Sequence, residues 1–129
     1  MNMEAAQRFF TGNILMDDWV PLRYEKDGET VEFGEIVVMR ELGSAGNTYS
    51  VGLWRCSVLG KTFFSSDDGD ETFVVLEGEV EIEDLTDGTK HVYGPGDICS
   101  WSKGTPTMWD IRREPLHSLR GRDGGLPGG

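Results

Sequence analysis

Two glycine-bounded stretches set the limits on what this chain can fold into. GKTFFSSDDGDETFVVLEG, from Gly60 to Gly78, and GPGDICSWSKGTPTMWDI, from Gly94 to Ile111, each read as a turn feeding a strand. In the first, Glu71, Phe73 and Val75 recur at period two, so their side chains share one face. In the second, Thr107, Trp109 and Ile111 alternate in the same way after the Gly104-Thr105-Pro106 bend. Two facing walls of this kind describe a barrel interior, with Glu71 a lone carboxylate along an apolar wall. Beyond Gly78 the phase flips, leaving Val80 and Ile82 on the apolar face and Glu79, Glu81 and Glu83 toward solvent.

The remaining pattern is also β-rich. Lys26-Asp27-Gly28-Glu29 is a turn, and a strand follows over Val31 to Leu42. Tyr49 to Leu59 reads as the strand before the first stretch, with Trp54 and Arg55 on opposite faces, one of which sees the interior. An inward Arg55 could clamp a carboxylate ligand. Thr86-Asp87-Gly88-Thr89 is a hairpin turn. Pro21 makes Asn13 to Tyr24 an edge strand or a packed arm, and Pro115 breaks a possible last strand in RREPLHSLR.

With 129 residues there is room for one domain. Its expected parts are an N-terminal arm with the first strands over 1–45, a barrel core over 46–120 and a disordered tail over 121–129. Eighteen glycines and many short β-branched runs leave little place for helix. A net charge of −11 argues against nucleic acid and anionic membranes as partners, since both call for clustered Lys and Arg. Cys56 and Cys99 lack the paired spacing of a zinc or redox motif and read as buried thiols. The opening MNMEAAQRFFTG has no long apolar core, so a cytoplasmic location is expected.

Gly60, Glu71, Gly78, Gly96 and Gly104 stand at spacings that resemble the two motifs of the cupin superfamily. Where the first motif carries its paired histidines this chain has Ser65 to Asp68, and Thr107 and Ile111 stand at the second motif's histidine and asparagine. The wording ETFVVLEGEVEIED, GPGDICSW and TMWDIR looks most like the short single-domain cupins related to ureidoglycine aminohydrolases and ethanolamine-utilisation cupins. The resemblance implies an all-β, single jelly-roll barrel with a short N-terminal arm, and a homodimer in which such arms cross between subunits.

The likeness keeps the family's glycines and loses its imidazoles, so no metal and no cofactor is expected. A carboxylate desolvated by aromatic neighbours can act as acid or base, which makes Glu71 the candidate catalytic residue. Trp54, Phe73, Thr107 and Trp109 are the candidate ligand-binding residues around it. The expected function is a metal-independent protein that binds a small organic molecule in the barrel, as an isomerase, lyase or hydrolase using Glu71. A non-catalytic binding or sensing module is the alternative.

Overall fold

Among the described residues eight strands follow one another: β1 (Val20–Lys26), β2 (Glu29–Leu42), β3 (Thr48–Cys56), β4 (Gly60–Ser65), β5 (Glu71–Asp84), β6 (Thr89–Tyr93), β7 (Ile98–Trp101) and β8 (Pro106–Arg122). They come from a computed structural model that describes residues 18–42, 48–66 and 69–123. Among these residues there is no α-helix, and every strand pairing is antiparallel. Strand order is β1-β2-β3-β8-β5-β6, with β4 also on β8 and β7 also on β5.

The long β5 and β8 organise the molecule, because each changes partners halfway along. The first half of β5 pairs with β7 and with the last half of β8, which also holds β3. Its second half pairs with β6 and with the first half of β8, which also holds β4. One bent ribbon thus belongs to both halves of a jelly roll, and the inward faces of the halves meet. Trp54 on β3 and Phe73 on β5 come from one half and lie 5.5 and 5.3 Å, ring centre to ring centre, from Trp109 in the other.

Phase changes at the bend keep both halves apolar inside. In β5 the buried residues are Glu71, Phe73 and Val75, then Val80 and Ile82, with register shifts between Val75 and Val80. Gly78 sits at this break with φ of +89°, and a Cβ there would lie 2.5 Å from the Pro115 carbonyl oxygen. In β8 the inward series Thr107, Trp109 and Ile111 gives way, across exposed Arg112 to Pro115, to Leu116, Ser118, Arg120 and Arg122.

Pro115 therefore does not end the last strand, as the sequence suggested. It falls opposite the irregular segment of β5, between the Arg113–Glu79 and His117–Glu77 pairs, where its missing N–H disturbs the ladder least. The strand also runs into the expected tail: Gly121 and Arg122 belong to β8, and the Asp123 amide donates to the Asp70 carbonyl at 3.2 Å. Residues 124–129, the expected arm up to Asp17 and the Gly43–Asn47 loop lie outside the described residues. At the other end β1 is an edge strand among the described residues, and Pro21 stands at its start.

Among the described residues the core comprises thirteen, including Phe33, Trp54, Phe64, Phe73 and Trp109. Of the two faces of β3, Trp54 turns inward and donates its indole N–H to the Phe33 carbonyl at 2.7 Å. Arg55 turns outward, pairs with Glu35 at 3.0 Å and stacks on Trp19.

Candidate functional site

Glu71 is 1 % exposed at the start of β5, and its inward face meets β8 at the register pairs Glu71–Arg122 and Phe73–Arg120. Both arginines lie on the inward face of β8 because of the phase change before Leu116. Arg120 Nη2 donates to Glu71 Oε1, and Arg122 Nη1 stands 3.8 Å from Oε2. Arg122 Nη1 also lies 3.3 Å from the Ser66 hydroxyl, which donates to the Gly69 carbonyl. The Arg120 guanidinium sits over the rings of Trp54 and Phe64, 5.5 and 5.3 Å from their centres. A planar cation held between a carboxylate and aromatic faces is a low-mobility arrangement.

This donor set does not suit a metal ion. Thr107 donates its hydroxyl proton to the Phe64 carbonyl and accepts from Trp109 Nε1 at 3.0 Å. Ser66 is bound to backbone and arginine, and Glu71, the carboxylate that the described residues place here, already faces two guanidinium groups. Among the described residues no three His, Cys, Asp or Glu side chains converge on one point. A divalent cation at Glu71 would have to displace Arg120 and stand beside Arg122.

Besides a cavity of about 380 Å³ against Glu32, Arg55 and Val58, two separate cavities among the described residues border the candidate site residues. One, of about 20 Å³, lies beside Glu71 and Arg120 and is bordered by Leu22, Ile36, Ser50 and Gly52. The other is a cleft of about 200 Å³ between the β5–β6 hairpin and the turn from β7 into β8. Its walls include Ile82, His91, Tyr93, Cys99, Trp101 and Thr107. Trp101 is one of its walls, and the Nε1 of that side chain is buried with no hydrogen-bond partner in the structure. Burial, followed by the hydrogen bond to Cys99, pushes the Tyr93 phenol above its ordinary value. Burial also pushes the Cys99 thiol up, so it is a poor nucleophile near neutrality.

Of the residues that the sequence singled out, Glu71 lines the small cavity and Thr107 the large cleft, and the two linings share no residue. Trp54 and Trp109 are 0 % exposed and Phe73 is 2 % exposed, all three within the core cluster. Trp109 packs against Phe33, Trp54, Phe64, Phe73 and Trp101 and fills the space in which one shared pocket would lie. Arg120 and Arg122 escaped the sequence reading, and Trp101, which the sequence pattern assigns to a filled core, stands at the cleft wall. The signal for the arginines was the alternation Leu116, Ser118, Arg120, Arg122, hidden by treating Pro115 as a strand end.

The model of the EutQ-like cupin domain matches residues 43–116, more than half of the chain. No curated protein matches it. Among solved structures, a putative ethanolamine utilization protein Q from Salmonella typhimurium is 15 % identical with a TM-score of 0.57, covering 83 % of this chain and 94 % of that one. A Rhizobium leguminosarum protein of unknown function is 21 % identical with a TM-score of 0.56, covering 71 % and 79 %. Ectoine synthase from P. lautus is 18 % identical with a TM-score of 0.60, covering 73 % and 66 %. At such identities the likeness is one of fold, and the chemistry has to be argued from this chain's own side chains. With the motif glycines in place and the family model spanning β3 to the start of the second half of β8, the chain belongs to the EutQ-like cupin family.

Proposed function

We propose that this cupin binds a small polar organic molecule without a metal, and that the ligand occupies the cleft walled by Trp101, Tyr93, Ile82, His91 and Thr107. The observation that carries this reading is the cleft itself: about 200 Å³ beside a half-buried tryptophan whose Nε1 has no partner in the structure. Pockets for drug-sized ligands run to roughly 300–1,000 Å³, so the volume suits a smaller molecule. The mixture of an indole face and a phenol with imidazole and hydroxyl groups suits a ligand with both apolar and hydrogen-bonding parts.

In this reading Glu71 is the counter-ion of Arg120 and Arg122, and not an acid or base. What supports it is that Arg120 faces one carboxylate oxygen and Arg122 the other. Its cavity is also separate from the cleft. The protein is then a binding or sensing module, the reading favoured over an acid–base enzyme.

The proposal includes a homodimer. Its support is an apolar row on the outward face, where Leu53, Leu119, Val74 and Ile98 are successive register partners on β3, β8, β5 and β7. Leu119 is 40 % and Ile98 68 % exposed, and such a row is the kind of surface a second subunit covers. Free thiols at Cys56 and Cys99 support the cytoplasmic location.

The test is a thermal-shift screen of small polar metabolites on the wild-type chain and on Trp101→Ala. The reading expects a subset that raises the melting temperature of the wild type and loses its effect in the variant. A screen without stabilisers, or stabilisers that work equally well on Trp101→Ala, would contradict it.

A further inference from the structure

We infer that His117 is an acid-operated latch on Trp19. With a neutral imidazole it lets the indole lie on the outer face of β3 and β8, and on taking up a proton it releases that ring. The latch stands apart from the proposed ligand cleft, whose walls do not include His117.

The outer face sets a fixed cation directly against the imidazole. Arg55 and His117 are register partners, and both point outward because Trp54, Leu116 and Ser118 are buried on the inward face. Like charges directly opposite each other on neighbouring strands are destabilising. Arg55 has an anion of its own in Glu35, at 3.0 Å, and stacks 4.0 Å from the centre of the Trp19 ring. An imidazolium at 117 would be a second cation against the same indole.

Trp19 closes the other side. It is 8 % exposed, its ring centre lies 5.6 Å from that of His117, and the imidazole Nε2 is buried with no hydrogen-bond partner in the structure. Nδ1 stands 3.8 Å from a Glu77 carboxylate oxygen, so the single proton of the neutral ring is assigned to that nitrogen. Nε2 then keeps only an unmet lone pair. Protonation would make it a charged N–H without an acceptor, which is far costlier to leave buried.

The charged groups to weigh are Arg55 on β3, with Glu35 of β2 behind it, Glu77 on β5, and Asp18 next to Trp19 in the chain. Pro115 and Leu119, two residues away on β8, carry none. Glu77 favours the charged ring weakly, since its side chain is 60 % exposed and its oxygen lies beyond hydrogen-bond reach. Burial holds His117 below its ordinary pKa over this pull, and Arg55 adds to the shift. A base so depressed favours the closed form fully above about pH 6.5, and that preference is lost as pH falls from there through the folded value.

Trp19 can move without disturbing the barrel. It precedes the first register pair of β1, Val20 with Ile36, and does not belong to the core cluster. Lifting the indole therefore breaks no strand pairing, yet it opens Nε2 to water.

The experiment follows the full chain, with nitrogen-15 in its histidine and tryptophan rings, by NMR from about pH 8 to about pH 5.5, where an imidazole titrates. A soluble gadolinium chelate reports which indole N–H groups meet solvent. The expected results are a His117 midpoint below that of the same residue in the urea-unfolded chain, and a rise in relaxation of the Trp19 indole proton that follows it. Trp54 and Trp109, both 0 % exposed, should not respond. In His117→Phe, which keeps a ring against Trp19 but takes up no proton, the Trp19 signal should hold its high-pH level throughout. The wild-type readings decide on their own where that variant does not fold. A His117 midpoint at or above the unfolded one, a Trp19 exposure that does not change with pH, or a change that persists in His117→Phe would each overturn the inference.

Discussion

Replacing the Glu71 carboxylate by an amide of nearly the same shape isolates its charge from its volume. In Glu71→Gln the buried Arg120 and Arg122 lose the anion that both face. Removing one member of a buried ion pair costs about 3–5 kcal/mol, because the charge left behind stays desolvated. We expect a loss of that size in urea unfolding with an unchanged m value, and a loss under about 1 kcal/mol would show that the pair is not structurally important. The sequence did place Glu71 correctly on an inward face, since period two carries through Phe73 and Val75. Its partners were not legible, because their inward orientation depends on a phase change inside a strand that Pro115 seemed to end. Likewise Trp109 and Trp101 both sit on strands with an inward alternation, and nothing in one dimension tells a ring that fills the core from a ring at a cleft wall.

Among the elements, the β5–β8 ribbon decides the architecture, and its bend depends on Gly78. That residue has φ of +89° and backbone carbonyls of Pro115 and Arg113 within 2.5 and 2.8 Å of a would-be Cβ. Gly88, in the hairpin after β5, has a similar φ of +77° but open space around it. Gly78→Ala combines backbone strain with a clash against backbone that cannot swing away, so it should cost well over 1 kcal/mol. Gly88→Ala bears only the conformational term and should cost about 1 kcal/mol. Thermal unfolding of the two variants checks the difference, and equal losses would remove the close approach as the reason for glycine at 78. The strands themselves were readable from alternation and turn residues, as with Lys26 to Glu29 and Thr86 to Thr89. Which strands lie side by side was not, because β8 pairs with β3, β4 and β5 across large separations in sequence.

For the molecule as a whole, the proposed dimer rests on the outward row through Leu53, Leu119, Val74 and Ile98. Sedimentation equilibrium should find the wild-type chain as a dimer and Leu119→Glu with Ile98→Glu as a folded monomer. A wild-type monomer at micromolar concentration would remove the second copy from the account. On the proposed reading, the motif positions without imidazoles, the Glu71–Arg120–Arg122 cluster and the aromatic interior leave recognition to side chains alone. The most direct test is the metal content of the purified full chain and of Glu71→Gln, measured by mass spectrometry after exposure to iron, nickel and zinc. The account predicts only trace, substoichiometric metal in both, whereas one equivalent of metal in the wild type that disappears in Glu71→Gln would contradict it.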